Sequence, residues 1–102
     1  YIPTDNTAAA NTEAIANVLL PAKVPAICGE EGICSGCGVA TLSISYYDLG
    51  VTTGKMAAKI LTGEADISKM PIEYTGATKK YNASMCDALG IKPLDGYTAI
   101  GE

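Results

Sequence analysis

The sequence predicts an α/β fold with a three-layer, Rossmann-like sheet, and three observations carry this prediction. A short apolar run at residues 24–28 and a β-branched run at residues 39–44 predict two strands, each buried on both faces. Over residues 46–61 the apolar side chains recur at helical spacing. A Thr-Gly pair at residues 62–63 then predicts the end of that helix.

Length and charge narrow the class of protein. The 102 residues suffice for one small domain or part of one. The net charge is −4, with seven lysines and no arginine, so there is no basic stripe for a phosphate backbone and nucleic acid is not predicted as a partner. No apolar run reaches the length of a membrane span, and no charged-then-apolar leader opens the sequence, so the chain as given is predicted to be soluble.

The chain opens with a predicted strand-helix-strand unit. Residues 1–3 read as the end of a buried strand whose earlier part is missing, so we expect the chain to be a piece of a longer protein. A helix follows, and Pro21 is predicted to end it. Thr4, Asp5 and Asn6 then lie between a strand end and a helix start, where they are candidates for ligand contact. Helix capping alone is the alternative interpretation.

The segment of residues 29–38 is rich in glycine and predicts a mobile loop or the edge of a cleft. Glu30 directly follows the predicted strand end, where its carboxylate is a candidate partner for an ammonium or hydroxyl group of a ligand. A solvated loop glutamate is the alternative. Glu31 is its neighbour in sequence, and this spacing does not indicate an acid/base pair.

Four cysteines raise the question of metal or redox chemistry. Cys34 and Cys37 form a CxxC motif, whereas Cys28 and Cys86 are isolated, so the paired knuckles typical of a zinc site are missing. A strand is predicted after the motif, where a redox dithiol would need a helix. Free thiols are favoured, and a disulfide between Cys34 and Cys37 is the alternative outside the cytoplasm. No metal or cofactor is predicted.

The long predicted helix begins with a capping signal. Ser45 is the predicted N-cap with Asp48 three residues later, and this places Ser45 and Tyr46 where a strand ends and a helix begins. Open α/β sheets bind ligands at such points, so both are candidate site residues. Gly50 and Gly54 do not have the spacing of a phosphate loop and instead predict close helix packing.

The remaining residues give weaker signals. We expect an exposed connector at residues 65–71, a short strand at residues 72–75 and a turn at residues 76–80. Asn82 is predicted to cap a helix that Gly90 closes. The chain has no histidine and no arginine, so the usual groups for nucleophilic and general-base catalysis are absent and the protein is predicted not to be an enzyme.

A series of short phrases resembles a known family, the periplasmic-binding-protein-like substrate-binding proteins of bacterial ABC transporters, in the branch associated with tryptophan or tyrosine transport. The phrases are YIPTDN (1–6), PAICGEEG (25–32), SYYDLG (45–50), TGKMAAKILTGE (53–64), MPIE (70–73) and ALGI (88–91). Family members are about three times as long. The resemblance therefore implies a carboxyl-terminal portion of a type I periplasmic-binding-protein fold.

The resemblance also implies a function. A small amino-acid-like solute is expected to bind between two lobes, as part of an extracytoplasmic importer component that delivers it to an ABC permease, in the periplasm or on a lipid anchor. Residues 1–38 would belong to the second lobe and residues 39–102 to the crossover and the returning first lobe. Carried over to this chain, the ligand-binding residues are Thr4, Asp5, Asn6, Glu30, Glu31, Ser45 and Tyr46. The chain departs from the family pattern at Cys34, at Cys37 and at Ser45, where an acidic residue is expected.

Two further expectations concern class and assembly. A ligand-sensing regulatory or receptor domain on the same fold is the alternative function, and a zinc or redox module is a third. The predicted helix over residues 46–61 has more apolar surface than the predicted strands can cover. We therefore expect these 102 residues to self-associate, as a homodimer or by exchanging elements.

Overall fold

The computed structural model describes residues 1–101 and confirms the α/β class. Its elements are α1 (Asn6–Ala10), α2 (Thr12–Ala22), β1 (Ile27–Cys28), α3 (Glu31–Cys37), β2 (Ala40–Ile44), α4 (Tyr46–Leu61), a 3₁₀ turn (Ile67–Lys69), β3 (Ala77–Tyr81), α5 (Ala83–Leu89) and β4 (Thr98–Ala99). None of the helices in the described residues has the length and apolarity needed to cross a bilayer.

The four strands form one sheet in the order β1-β2-β3-β4. The pair β1 and β2 is parallel, and so is the pair β3 and β4. Ile2 adds an isolated parallel bridge to Cys28. The backbone amide of Asn82 donates to the Val39 carbonyl (3.0 Å), and the Thr78 hydroxyl donates to the Ser43 carbonyl (3.2 Å). Because the later residue of one strand pairs with the earlier residue of the other, β3 is antiparallel to β2.

The chain divides into two compact units. The first consists of residues 1–43 together with the chain from Thr78 onward, and the second of residues 44–77. The predicted lobe boundary between residues 38 and 39 stays a prediction.

Two clusters of buried side chains form the core of the first unit. In the larger cluster α3 packs against α2 and β1, and its buried members are Ala16, Ala26, Cys28, Ile33, Cys34 and Cys37. The smaller cluster joins Val39 to Met85 and Cys86 of α5. Leu20 of α2 contacts both clusters, so the two are continuous through one side chain.

The glycine-rich segment is a helix, so the predicted mobile loop is wrong. Glu30 is the N-cap of α3, and Ile33, Cys34 and Cys37 give the helix a buried face. A side-chain carbon at Gly36 would overlap the Thr12 side chain, so this glycine permits the close approach of α3 to α2. The helix therefore depends on tertiary packing, which a count of glycines does not reveal.

The strands are buried on one face only, contrary to prediction. Along β2, Thr41 and Ser43 are buried, whereas Leu42 is 58% exposed. Ile27 of β1 is 48% exposed. The alternation is that of a sheet with one covered face within the residues described.

Four smaller expectations also fail. Helix α2 continues through Pro21 to Ala22 and ends at Lys23 in a left-handed conformation (φ 54°). Residues 72–75, predicted to be a strand, have no regular secondary structure, and the predicted turn at residues 76–80 coincides largely with β3. Gly50 and Gly54 face open space rather than a packed neighbour.

Candidate functional site

Two polar segments of the first unit meet at one edge of the sheet. Ile2 and β1 are neighbours in a parallel arrangement: the Ile2 amide donates to the Ile27 carbonyl (2.9 Å) and the Gly29 amide to the Ile2 carbonyl (2.8 Å). Because parallel strands end at the same edge, residues 4–6 and residues 29–31 emerge side by side. We call these two segments the polar edge.

Direct contacts hold the two segments of the polar edge together. The Thr4 hydroxyl donates to the Gly29 carbonyl (3.4 Å). A side-chain carbon at Gly29 would lie 2.8 Å from the Thr4 nitrogen and 3.0 Å from the Tyr1 hydroxyl oxygen. The close approach of the two backbones therefore requires glycine at this position.

Two of the predicted acidic residues, one in each segment, are helix caps. Asp5 Oδ1 accepts a hydrogen bond from the Ala8 amide (2.8 Å) at the start of α1. The Glu30 carboxylate accepts hydrogen bonds from the amides of Gly32 (2.9 Å) and Ile33 at the start of α3. Capping holds both carboxylates in fixed positions, and each retains acceptor sites for another partner.

The other three predicted residues of the polar edge lie beside these caps. Asn6 is the first residue of α1 and is exposed, and Glu31 is the first residue of α3 and is partly buried. Thr4 is also exposed. The structure thus brings five of the seven predicted residues, Thr4, Asp5, Asn6, Glu30 and Glu31, to one edge of one unit.

Ser45 and Tyr46 belong to the second unit. The Ser45 hydroxyl oxygen accepts a hydrogen bond from the Asp48 amide (3.1 Å), which confirms the predicted N-cap of α4. Tyr46 is the first residue of α4 and its side chain is 57% exposed. Their roles as ligand residues stay predictions.

Tyr1 is a neighbour of the polar edge that the sequence did not predict. Its hydroxyl lies against Gly29, although the side chain as a whole is 84% exposed. Tyr1 and Gly29 are far apart in the sequence, so no local pattern signals this contact. Only the pairing of Ile2 with β1 reveals this position.

The four cysteines are buried free thiols. Burial raises the pKa of the Cys37 and Cys86 thiols, because removing the thiolate from water is unfavourable. Within the described part of the chain, no group of three or more potential ligands is arranged to hold a metal ion.

Comparison with known proteins gives consistent results. A family model described as "ABC transporter substrate binding protein" matches residues 1–93. A search of curated protein sequences gave no significant match. The matched family is a class of solute-binding proteins and not a class of enzymes, and its members are extracytoplasmic.

Three solved structures are similar to this chain. The ligand-free, open structure of a substrate-binding protein with adhesive properties from Clostridium difficile is 30% identical, with a TM-score of 0.75 over 98% of this chain. An ABC domain in complex with L-Trp from Streptococcus pneumoniae is 26% identical, with a TM-score of 0.78 over 94% of this chain. A conserved domain protein from Vibrio cholerae is 25% identical, with a TM-score of 0.79 over 96%. This chain spans 35% of the length of each of these structures.

Proposed function

The chain belongs to the ABC transporter substrate-binding protein family, and from that premise we propose that its polar edge forms one wall of a binding site for a small amino-acid-like solute. The observation that carries the proposal is the placement of Thr4, Asp5, Asn6, Glu30 and Glu31 at the ends of neighbouring parallel strands. Ligands of open α/β sheets bind at this kind of edge.

The chemistry of the polar edge suits an ammonium group. Three carboxylates, a hydroxyl and an amide are carried by these two neighbouring segments. A carboxylate that accepts hydrogen bonds from backbone amides at a helix start can accept a further hydrogen bond from a cation. An amino acid presents such a cation, whereas a sugar does not.

An aromatic amino acid is the solute that we propose first. The similar structure from Streptococcus pneumoniae is a complex with L-Trp, which supports this choice. In the second unit, the exposed ring of Tyr46 offers an aromatic face, and Ser45 offers a hydroxyl. We propose that Tyr46 and Ser45 also contact the solute.

The test of this function is calorimetric titration of the full-length natural protein that contains this chain. The panel consists of amino acids, including tryptophan and tyrosine, and of sugars and nucleotides as controls. We expect heat of binding with one or more amino acids and none with the controls. Binding of a sugar or nucleotide in the absence of amino-acid binding would contradict the proposal.

The proposed cellular role is that of the solute-binding component of a bacterial ABC importer, with an ABC permease as partner. The proposed location is the periplasm or a lipid anchor on the outer face of the cell membrane. A pull-down experiment tests this role. We expect the solute-loaded protein to capture the permease and the solute-free protein not to capture it.

Self-association of these 102 residues is a separate proposal. In the second unit, the side chains of Leu61, Ile67, Ile72 and Tyr74 are each at least 72% exposed. Burying such apolar surface against a second copy is favourable. Light scattering across a concentration series tests this, and a constant monomer mass at all concentrations would contradict it.

A further inference from the structure

The four cysteine thiols all lie in the buried core of the first unit. Cys28 ends β1, Cys34 and Cys37 lie one turn apart on α3, and Cys86 lies on α5. All four side chains are at most 2% exposed. The proposed solute site uses none of them.

Gly38 shows how close Cys28 and Cys34 are. A side-chain carbon at Gly38 would overlap Cys28 Sγ and would lie 3.1 Å from Cys34 Cα. The Cys28 sulfur and the Cys34 backbone are therefore both neighbours of one point in the core. The Cys34 thiol is close enough to raise the pKa of the Cys28 thiol.

The other two thiols have partners in the backbone. The Cys37 thiol donates to the Ile33 carbonyl (3.4 Å), and the Cys86 thiol donates to the Val39 carbonyl (3.6 Å). Cys37 is thereby turned back along its own helix. Cys28 at the end of β1 and Cys34 on α3 are the two cysteines that adjoin the same point beside Gly38.

We propose that Cys28 and Cys34 form a disulfide bond when the protein meets an oxidising environment, and that this bond fastens α3 to the end of β1. The pairing differs from the Cys34 and Cys37 bridge that the CxxC motif suggests. Disulfides form and persist outside the cytoplasm, and the members of this family are extracytoplasmic.

The oxidant in this proposal is a small-molecule disulfide. The Cys34 thiolate attacks one of its sulfur atoms, forming a mixed disulfide and releasing one thiolate. Cys28 then loses its proton and attacks the Cys34 sulfur, which forms the protein disulfide and releases the second thiolate. The two cysteines lose two electrons, the small disulfide gains them, and the two cysteine protons pass to the released thiolates.

The environment of the pair favours this division of roles. The neighbouring Cys28 thiol lowers the pKa of the Cys34 thiol, and the neighbouring Cys34 thiol raises the pKa of the Cys28 thiol. Because both sulfur atoms are buried, oxidation requires a local opening of α3 away from β1.

The bond would act on the polar edge. Glu30 and Glu31 lie between Cys28 and Cys34 in the chain, and Glu30 caps α3. A disulfide closes this short loop and restricts its motion. The consequence for solute binding rests on the proposed function, whereas the bond itself does not.

The test counts thiols and identifies the linked peptides. The purified protein is incubated with oxidised glutathione, unfolded, alkylated with N-ethylmaleimide and analysed by mass spectrometry, with a non-reduced peptide map. We expect the wild type to keep two of its four alkylatable thiols and to show a link between the peptides of Cys28 and Cys34. Cys37→Ser and Cys86→Ser are controls that should form the same link.

In Cys28→Ser and Cys34→Ser we expect the remaining three thiols to stay alkylatable. Four alkylatable thiols in the oxidised wild type would overturn the proposal, and so would a predominant link between Cys34 and Cys37 or one that involves Cys86. The wild-type peptide map decides the pairing even if a variant fails to fold. The assay contains no solute, so its result is independent of the proposed binding function.

Discussion

Asp5, Glu30 and Ser45 each use a side-chain oxygen to cap a helix. The same residues are predicted to contact a ligand, and the two roles are compatible. A carboxylate has about four lone-pair sites, so one or two backbone amides leave room for a ligand donor. The cap then fixes the position of the oxygen before the solute arrives.

Asn82 shows how much a single polar side chain contributes to the first unit. It caps α5 as predicted, with Oδ1 accepting from the Met85 amide (3.2 Å). Its Nδ2 also donates to the carbonyls of Cys34 (3.0 Å) and Ser35 (2.8 Å), which the sequence does not reveal. The side chain is 7% exposed, and it ties α3 to the start of α5.

We expect Asn82→Ala to lower the free energy of unfolding by about 2–4 kcal/mol, because it removes a helix cap and the two hydrogen bonds that this buried side chain donates to α3. Denaturant unfolding measures the change. Asn11→Ala is the matched control: Asn11 is exposed, provides no side-chain cap for α2 and should cost less than about 1 kcal/mol. Equal effects of the two substitutions would contradict the buried role of Asn82.

At the scale of elements, the sequence predicts the helices whose ends are set by local signals. Helix α4 begins after Ser45 and ends at Leu61, and α5 lies between its Asn82 cap and Gly90 in a left-handed conformation (φ 67°). Caps, apolar spacing and closing glycines are all readable within a few residues. The placement of five of the seven predicted site residues at one edge could be predicted for the same reason, because strand ends and helix starts are also local signals.

Elements that depend on distant contacts were missed. Helix α3 contains two glycines in seven residues, and its contacts with α2 and β1 stabilise it. Strand β3 begins with exposed Ala77, Thr78 and Lys79, which resemble a turn, and its pairing with β2 and β4 defines it. Neither pairing partner is adjacent in sequence, so propensity alone gives the wrong assignment.

A substitution in helix α4 tests whether Gly54 is exposed, as the structure has it, or packed against a neighbour, as the sequence predicted. Because a side-chain carbon there would meet nothing within 4 Å, Gly54→Ala should stabilise α4 in this chain by about 0.5–1 kcal/mol. Thermal unfolding followed by circular dichroism measures the change. Gly63→Ala is the control, because Gly63 has a φ of 78° and alanine there should be destabilising by about 1 kcal/mol. A loss of helix stability in Gly54→Ala would restore the packing role.

At the scale of the whole molecule, the chain matches its family over residues 1–93 but spans 35% of the length of the similar structures. Its sheet has one face with exposed apolar side chains, Leu42 and Ile27 among them. An apolar strand residue that is exposed in this chain cannot be distinguished by sequence from one that is buried within it. This explains why burial of the strands on both faces was predicted.

The central claim is that the carboxylates of the polar edge bind the solute as well as capping α1 and α3. Asp5→Asn and Glu30→Gln test it, because each keeps a side-chain oxygen for the cap and removes the negative charge. Glu13→Gln, on the exposed surface of α2, is the control.

The deciding measurement is the calorimetric affinity of the full-length natural protein for the amino acid that it binds, in the wild type and in these three variants. We predict that Asp5→Asn and Glu30→Gln each weaken binding by about 1–3 kcal/mol, which is about 5-fold to 150-fold in dissociation constant, with unfolding free energies close to that of the wild type. Glu13→Gln should bind as the wild type does. Wild-type affinity in both polar-edge variants would show that Asp5 and Glu30 are helix caps only and would contradict the account.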